Sequence, residues 1–228
     1  MSVLIEIFHD QVSGRLPTEA VHEGLELVAE HAGNILVTRE TRQIKLTDST
    51  SDYVDTAKIR WPRLPANFSI ILTDRPLSNG SQEPAFIQVD SFGRSQISNR
   101  GGIDGKALIG VGIALISTHV ATSQSLPIAT AHEVGHLFEI LSKDPESGHC
   151  VQDDCIMNAA STTLTTQTIN TSTLSKRLKH RIGRPEFLYE ETSSPQSFCG
   201  DCAEELAEQG PIIAARMALK TMRNFDKL

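Results

Sequence analysis

His132, Glu133, Val134, Gly135 and His136 form the pattern His-Glu-x-x-His. On a helix, histidines four residues apart project from one face, one turn apart, so both imidazoles can reach a single metal ion. Glu133 sits beside them, too far round to be a third ligand, where it can act as a general base on a water. A random chain with eight His in 228 residues would hold about 0.02 such pentapeptides, so the match is specific. The chemistry these residues predict is metal-assisted hydrolysis, with His132 and His136 as zinc ligands and Glu133 as the catalytic residue.

A catalytic zinc takes three protein ligands and leaves its fourth position to water. The third ligand must come from outside the helix. His149 is the best candidate, because Gly148 beside it can turn the chain back; Asp153, Asp154, Glu186 and Glu190 are the alternatives. The four cysteines fall into two close pairs, Cys150 with Cys155 and Cys199 with Cys202. Such pairs suit a second, structural zinc held by four thiolates. Two local disulfides are the competing reading. The segment Met1 to His9 has neither a basic start nor a small-residue cleavage site, so it reads as a first strand and not as a signal peptide. That predicts a cytoplasmic chain, whose thiols stay reduced.

The order His-Glu-x-x-His, then His149-Cys150-x4-Cys155-x-Met157, then Cys199-x2-Cys202 resembles the archaemetzincins, zinc metalloproteases of the metzincin clan. The resemblance implies two zinc ions, one catalytic on His132, His136 and His149 and one structural on Cys150, Cys155, Cys199 and Cys202. It implies that Met157 forms the Met-turn beneath the catalytic metal. It also covers Gly110 to Thr118, similar to the family's strand before the active-site helix. Three features depart from the pattern. Glu139 stands where the family has Gly, and His149 comes thirteen residues after His136, later than in the family. The interval from Met157 to Cys199 is also longer.

The elements that must position these residues are readable in part. Val3 to Phe8 has strand composition, and Val21, Leu25 and Val28 lie at helical spacing after Pro17, with Thr18 as cap and Gly33 as stop. Further strands are expected over 35–46, 68–74, 85–90 and 109–117; the resemblance implies that the last can receive an extended peptide along its edge. The long interval Thr47 to Pro65 reads as a loop. The active-site helix is expected from Leu126 to Ser142, with Val134, Leu137, Phe138 and Leu141 on a core face and the histidines on an open one. From Cys202 onward the chain reads as helical, with a break or kink at Gly210 and Pro211. The fold class expected is α/β (α+β): a metzincin-like mixed twisted sheet with an active-site helix and a zinc-stapled C-terminal helical part. The whole chain, 1–228, reads as one metalloprotease domain, with sheet and active-site helix in 1–143 and the four-cysteine part in 144–228.

Within that second part, 158–198 reads as an insertion. Nine of the fourteen residues from Ser161 to Leu174 are Ser or Thr. A basic run follows, with Lys176, Arg177, Lys179, His180, Arg181 and Arg184. Overall the chain is acidic, with 21 Lys+Arg against 28 Asp+Glu and a net charge of -7, which argues against nucleic acid as partner. No apolar run is long enough for a membrane-spanning helix. The expected partner is a peptide or protein substrate. The rival reading is a catalytically inactive, zinc-stabilised binding module of the same fold, supported by the shifted third ligand and the basic run. His9, His22, His31, His119 and His180 are assigned no catalytic role, and Trp61 and Phe138 read as core.

Overall fold

The computed structural model of the chain describes residues 2–11, 17–33, 35–37, 41–46, 53–57, 59, 68–78, 87–89, 95–97, 105–118, 125–140, 148–158 and 197–225. The first strand, β1 (Val3–Asp10), leads into helix α1 (Thr18–Ala32). Then come β2 (Ile35–Val37), β3 (Arg42–Ile44), β4 (Val54–Asp55), β5 (Phe68–Thr73), β6 (Leu77–Ser78), β7 (Ile87–Val89) and β8 (Ser95–Ile97). Strands β9 (Gly105–Leu108) and β10 (Ile113–Ser117) precede the helices α2 (Ser125–Leu137) and α3 (Gly200–Phe225).

The main sheet has the order β2-β1-β5-β10-β9, with β3 also pairing β1. Its strands run parallel except β9, which is antiparallel to β10. The single strand expected over 35–46 is two short ones: β2 pairs the first half of β1 and β3 the second. The strand expected at 85–90 forms a small antiparallel pair of β7 with β8, apart from the main sheet. The strand expected at 109–117 starts later, after a single helical turn at Ile109–Val111, and lies between β5 and β9. Its edge is therefore taken, and β9 ends the sheet among the described residues.

Alternation along the strands sorts the core into two layers. Val3, Ile5 and Ile7 of β1 face the same side as Ile70 and Leu72 of β5 and Ala114 and Ile116 of β10, where α1, α2 and α3 pack. Phe8, Ile71, Ile113 and Leu115 face the opposite side, under Leu46, Val54, Ile59 and Leu77. Helices α1, α2 and α3 thus lie on one face of a mixed sheet, the α+β arrangement expected. At the ends of β1 and β5, Asp10 and Arg75 form a buried ion pair, and Thr73 donates to the same carboxylate at 2.9 Å.

Three helix expectations need correction. Thr18 opens α1 but does not cap it, since the cap position is Pro17 and no side chain bonds there. The expected break at Gly210 and Pro211 is not present: α3 runs through Pro211 as one helix. Gly210 serves close packing instead, because a Cβ there would come 2.1 Å from the carbonyl oxygen of Ala32 at the end of α1. Helix α2 stops at Leu137, short of the expected Ser142. The Phe138 amide donates to the carbonyls of Val134 and Gly135, the Glu139 amide donates to His136, and Glu139 turns left-handed with φ 57. Helix α2 therefore ends well before His149.

Candidate active site

Helix α2 is buried from Leu126 through Gly135, so the expected open face is absent: His132 is 2% exposed and Glu133 6%. Val134, Leu137 and Phe138 occupy the core as expected; Leu141 lies outside the described residues. Strand β9 covers the Glu133 side. The segment 148–158 covers the His132 and Met157 side.

His132 and His136 point their Nε2 atoms at each other, 3.1 Å apart. Two nitrogens on one tetrahedral zinc, each at about 2.05 Å, stand about 3.3 Å apart, so the pair is spaced for a shared ion. Gly148, with φ 69, turns the chain back as anticipated. The His149 ring centroid lies 5.2 Å from that of His132 and 5.0 Å from that of His136. Ligating atoms of the three histidines all fall within 4.8 Å of one another, close enough to hold a metal ion. Asp153 and Asp154 are exposed and belong to neither candidate cluster. Glu186 and Glu190 lie outside the described residues, as do Trp61, His119, His180 and the basic run.

The protonation of the histidines suits ligation. Nδ1 of His132 lies 2.7 Å from the Ile156 carbonyl oxygen, which can only accept, so Nδ1 carries the hydrogen and Nε2 keeps its lone pair for a metal. Burial pushes the His132 pKa down to about 4, against the raising effect of the Ile156 bond. Burial likewise brings His136 to about 3, helped by His132, His149 and Lys106. Both imidazoles are neutral at pH 7, the form a metal needs.

Glu133 lies against the first residue of β9, and a Cβ on Gly105 would come within 2.7 Å of its Oε1. Met157 is fully buried beneath α2: a Cβ on Gly135 would come 2.5 Å from its sulfur. Beyond the residues singled out from sequence, Asn158 locks this segment, its side-chain amide donating to the carbonyls of Cys150 and Gln152, both at 3.1 Å. The Cys150 amide donates to the Met157 carbonyl at 2.8 Å. Gly105, Asn158 and the Ile156 carbonyl escaped the sequence reading. A main-chain carbonyl leaves no signal in residue type, and only adjacency to Met157 hints at Asn158.

Cys150, Cys155, Cys199 and Cys202 form the second cluster that could hold a metal, again with ligand atoms within 4.8 Å of one another. All four are free thiols, and the sulfurs of Cys150 and Cys199 are 3.6 Å apart. That separation excludes a disulfide between them, about 2.05 Å, and matches the roughly 3.8 Å expected of two sulfurs on one tetrahedral zinc. The sulfur of Cys155 accepts backbone N–H bonds from Met157 and Cys199, both at 3.4 Å. A bond from the Cys202 thiol, with these amides, draws the Cys155 thiol down to about 5 against the effect of burial. Burial pushes Cys150 up to about 11, and Cys202 is raised chiefly by its bond to Cys155. Four neighbouring thiols all become anionic only around a cation, which is what a thiolate metal site provides.

By sequence, the chain matches no family model and no curated protein. By structure it is similar to archaemetzincin from Methanopyrus kandleri, with TM-score 0.55 and 17% identity, over 91% of this chain and 94% of that one. Archaemetzincin from Archaeoglobus fulgidus has TM-score 0.48 and 14% identity, over 90% and 99% of the two chains. A zinc-dependent peptidase from Methanocorpusculum labreanum has TM-score 0.45 and 16% identity, over 89% and 99%. The Methanopyrus likeness spans nearly all of both chains, and the fold of this chain is archaemetzincin-like.

Proposed function

We propose that the chain is a zinc-dependent metallopeptidase in which His132, His136 and His149 hold the catalytic ion and Glu133 is the general base. One observation carries this reading: ligating atoms of three histidines converge within 4.8 Å, and Glu133, next in sequence to the first, is buried against the start of β9. The archaemetzincin-like fold supports it. Zinc held by these histidines would supply Lewis-acid chemistry, polarising the scissile carbonyl and lowering the pKa of a water toward about 7. The Glu133 carboxylate takes the proton of that water and returns it to the leaving amine nitrogen. Ile156 fixes His132 in the tautomer that directs Nε2 inward. Strand β9, at the end of the sheet and against Glu133, offers its backbone edge to an extended peptide.

Cys150, Cys155, Cys199 and Cys202 hold a second, structural zinc in this proposal, giving two ions per chain. Met157 serves as the Met-turn. The parts 1–143 and 144–228 act as one domain, in a cytoplasmic setting that keeps the thiols reduced. Among the described residues no helix is long and apolar enough to cross a membrane. The rival, an inactive binding module, leans partly on the shifted position of His149; the turn at Gly148, with the His149 ring near those of His132 and His136, favours the enzyme reading. Its other support, the basic run, lies outside the described residues. The test is Glu133→Gln: casein hydrolysis should vanish while two zinc ions per chain remain, and full hydrolysis by this variant would refute the proposal.

A further inference from the structure

Gly105 begins β9, pairs with Ile116 of β10, and is buried against α2. Its φ is outside the left-handed region occupied by Gly33, Gly112 and Gly148, so its backbone conformation does not demand glycine. What demands it is space. A Cβ at 105 would stand 2.4 Å from Cγ, 2.7 Å from Oε1 and 2.8 Å from Cδ of Glu133. Ordinary contacts begin at about 3.5 Å, so a methyl group would require a shift of about 1 Å. The surroundings decide what moves. Strand β9 is held in its ladder by β10 and α2 is buried from Leu126 through Gly135, so an added methyl is met by rotation of the Glu133 side chain about its own torsions.

We propose that Gly105 is a positioning residue for Glu133: its bare Cα leaves the space that the Glu133 side chain occupies against the start of β9. The inference rests on Glu133 being the general base. A catalytic group displaced by about 1 Å can lose on the order of 100-fold in rate. The peptide edge of β9 and the metal ligands are untouched by the change, so the loss falls on kcat and not on KM or zinc content.

The test uses the zinc-loaded full chain with casein as substrate and a crystal structure of each variant. Gly105→Ala should lose about 100-fold in kcat with KM and zinc content unchanged, and its crystal structure should show the Glu133 carboxylate moved within an unchanged backbone. Wild-type kcat in Gly105→Ala, beside an inactive Glu133→Gln, would overturn the inference alone. Full activity in Glu133→Gln would overturn the general-base reading instead. If casein is cleaved by no form, the crystal comparison decides, and an unmoved carboxylate overturns the inference. If Gly105→Ala does not fold, the Gly105→Ala, Glu133→Ala pair must fold, because the obstructing side chain is gone; failure there assigns Gly105 to the fold and overturns its role toward the carboxylate.

Discussion

Nη1 of Arg216, on α3, donates to both carboxylate oxygens of Glu139, at 3.1 and 3.0 Å. Glu139 is the residue whose left-handed backbone ends α2, at the position where the archaemetzincin pattern has Gly. A side chain in that conformation costs roughly 1–2 kcal/mol, and an exposed ion pair returns at most about 1 kcal/mol. The pair offsets part of that cost, and the rest is close to the extra entropy a glycine loses on folding, about 0.5–1 kcal/mol. Glu139→Gly should therefore leave the urea midpoint close to wild type, and Arg216→Ala should lower it slightly in the wild type but not in the Glu139→Gly background. An equal effect of Arg216→Ala in both backgrounds would show that the pair does not offset the turn.

The two candidate metal sites share one short segment, which couples them. Cys150 directly follows His149, and the Ile156 carbonyl that orients His132 lies between Cys155 and Met157. Loosening the thiol site by Cys155→Ser should weaken zinc binding at the histidines by about 10 to 100-fold, the range for lost supporting contacts around a metal ligand. Chelator competition, with cobalt absorption separating thiolate from imidazole sites, measures it. Unchanged affinity at the histidines would mean that the sites are independent.

Acid should destabilise the metal-free chain through His132 and His136. Their folded pKa values, about 4 and about 3, lie below the ordinary 6.5, so between those limits the unfolded chain binds more protons. Their neutral forms favour the fold above pH 6.5, and that advantage is lost as pH falls from 6.5 toward 3, by roughly 8 kcal/mol at most. Urea midpoints in chelator should fall across this window, and His136→Gln should flatten the fall. An unaltered slope in that variant would assign the acid sensitivity elsewhere.

Legibility in the sequence followed physical range. The histidine pair was readable because a four-residue helical spacing fixes their relation locally, and the four cysteines because their pairs are local too. The end of α2 was misjudged: apolar spacing through Leu141 pointed onward, whereas the left-handed Glu139, anchored by Arg216 from far along the chain, stops the helix. Likewise Gly210 and Pro211 look like a terminator, yet Gly210 is needed for the approach of α3 to Ala32. The role of Gly105 depends on Glu133 crossing beside it, which no local pattern carries.

The buried pair of Asp10 and Arg75 joins the ends of β1 and β5 by contacts with a single carboxylate oxygen. Arg75→Met alone should cost about 3 to 5 kcal/mol of stability by leaving Asp10 buried without its cation. Pairing it with Asp10→Leu should recover much of that loss in urea denaturation. A double variant no more stable than the single one would contradict this account.

The central claim, that His132, His136 and His149 close on one zinc beside Glu133, is tested most directly by an anomalous-scattering map at the zinc edge from crystals of the metal-loaded chain. The account predicts a peak about 2.0 to 2.1 Å from a ring nitrogen of each of the three histidines, and a second peak among the four cysteine sulfurs. A peak bound by His132 and His136 while His149 stands away from it, or no peak among the histidines, would contradict it.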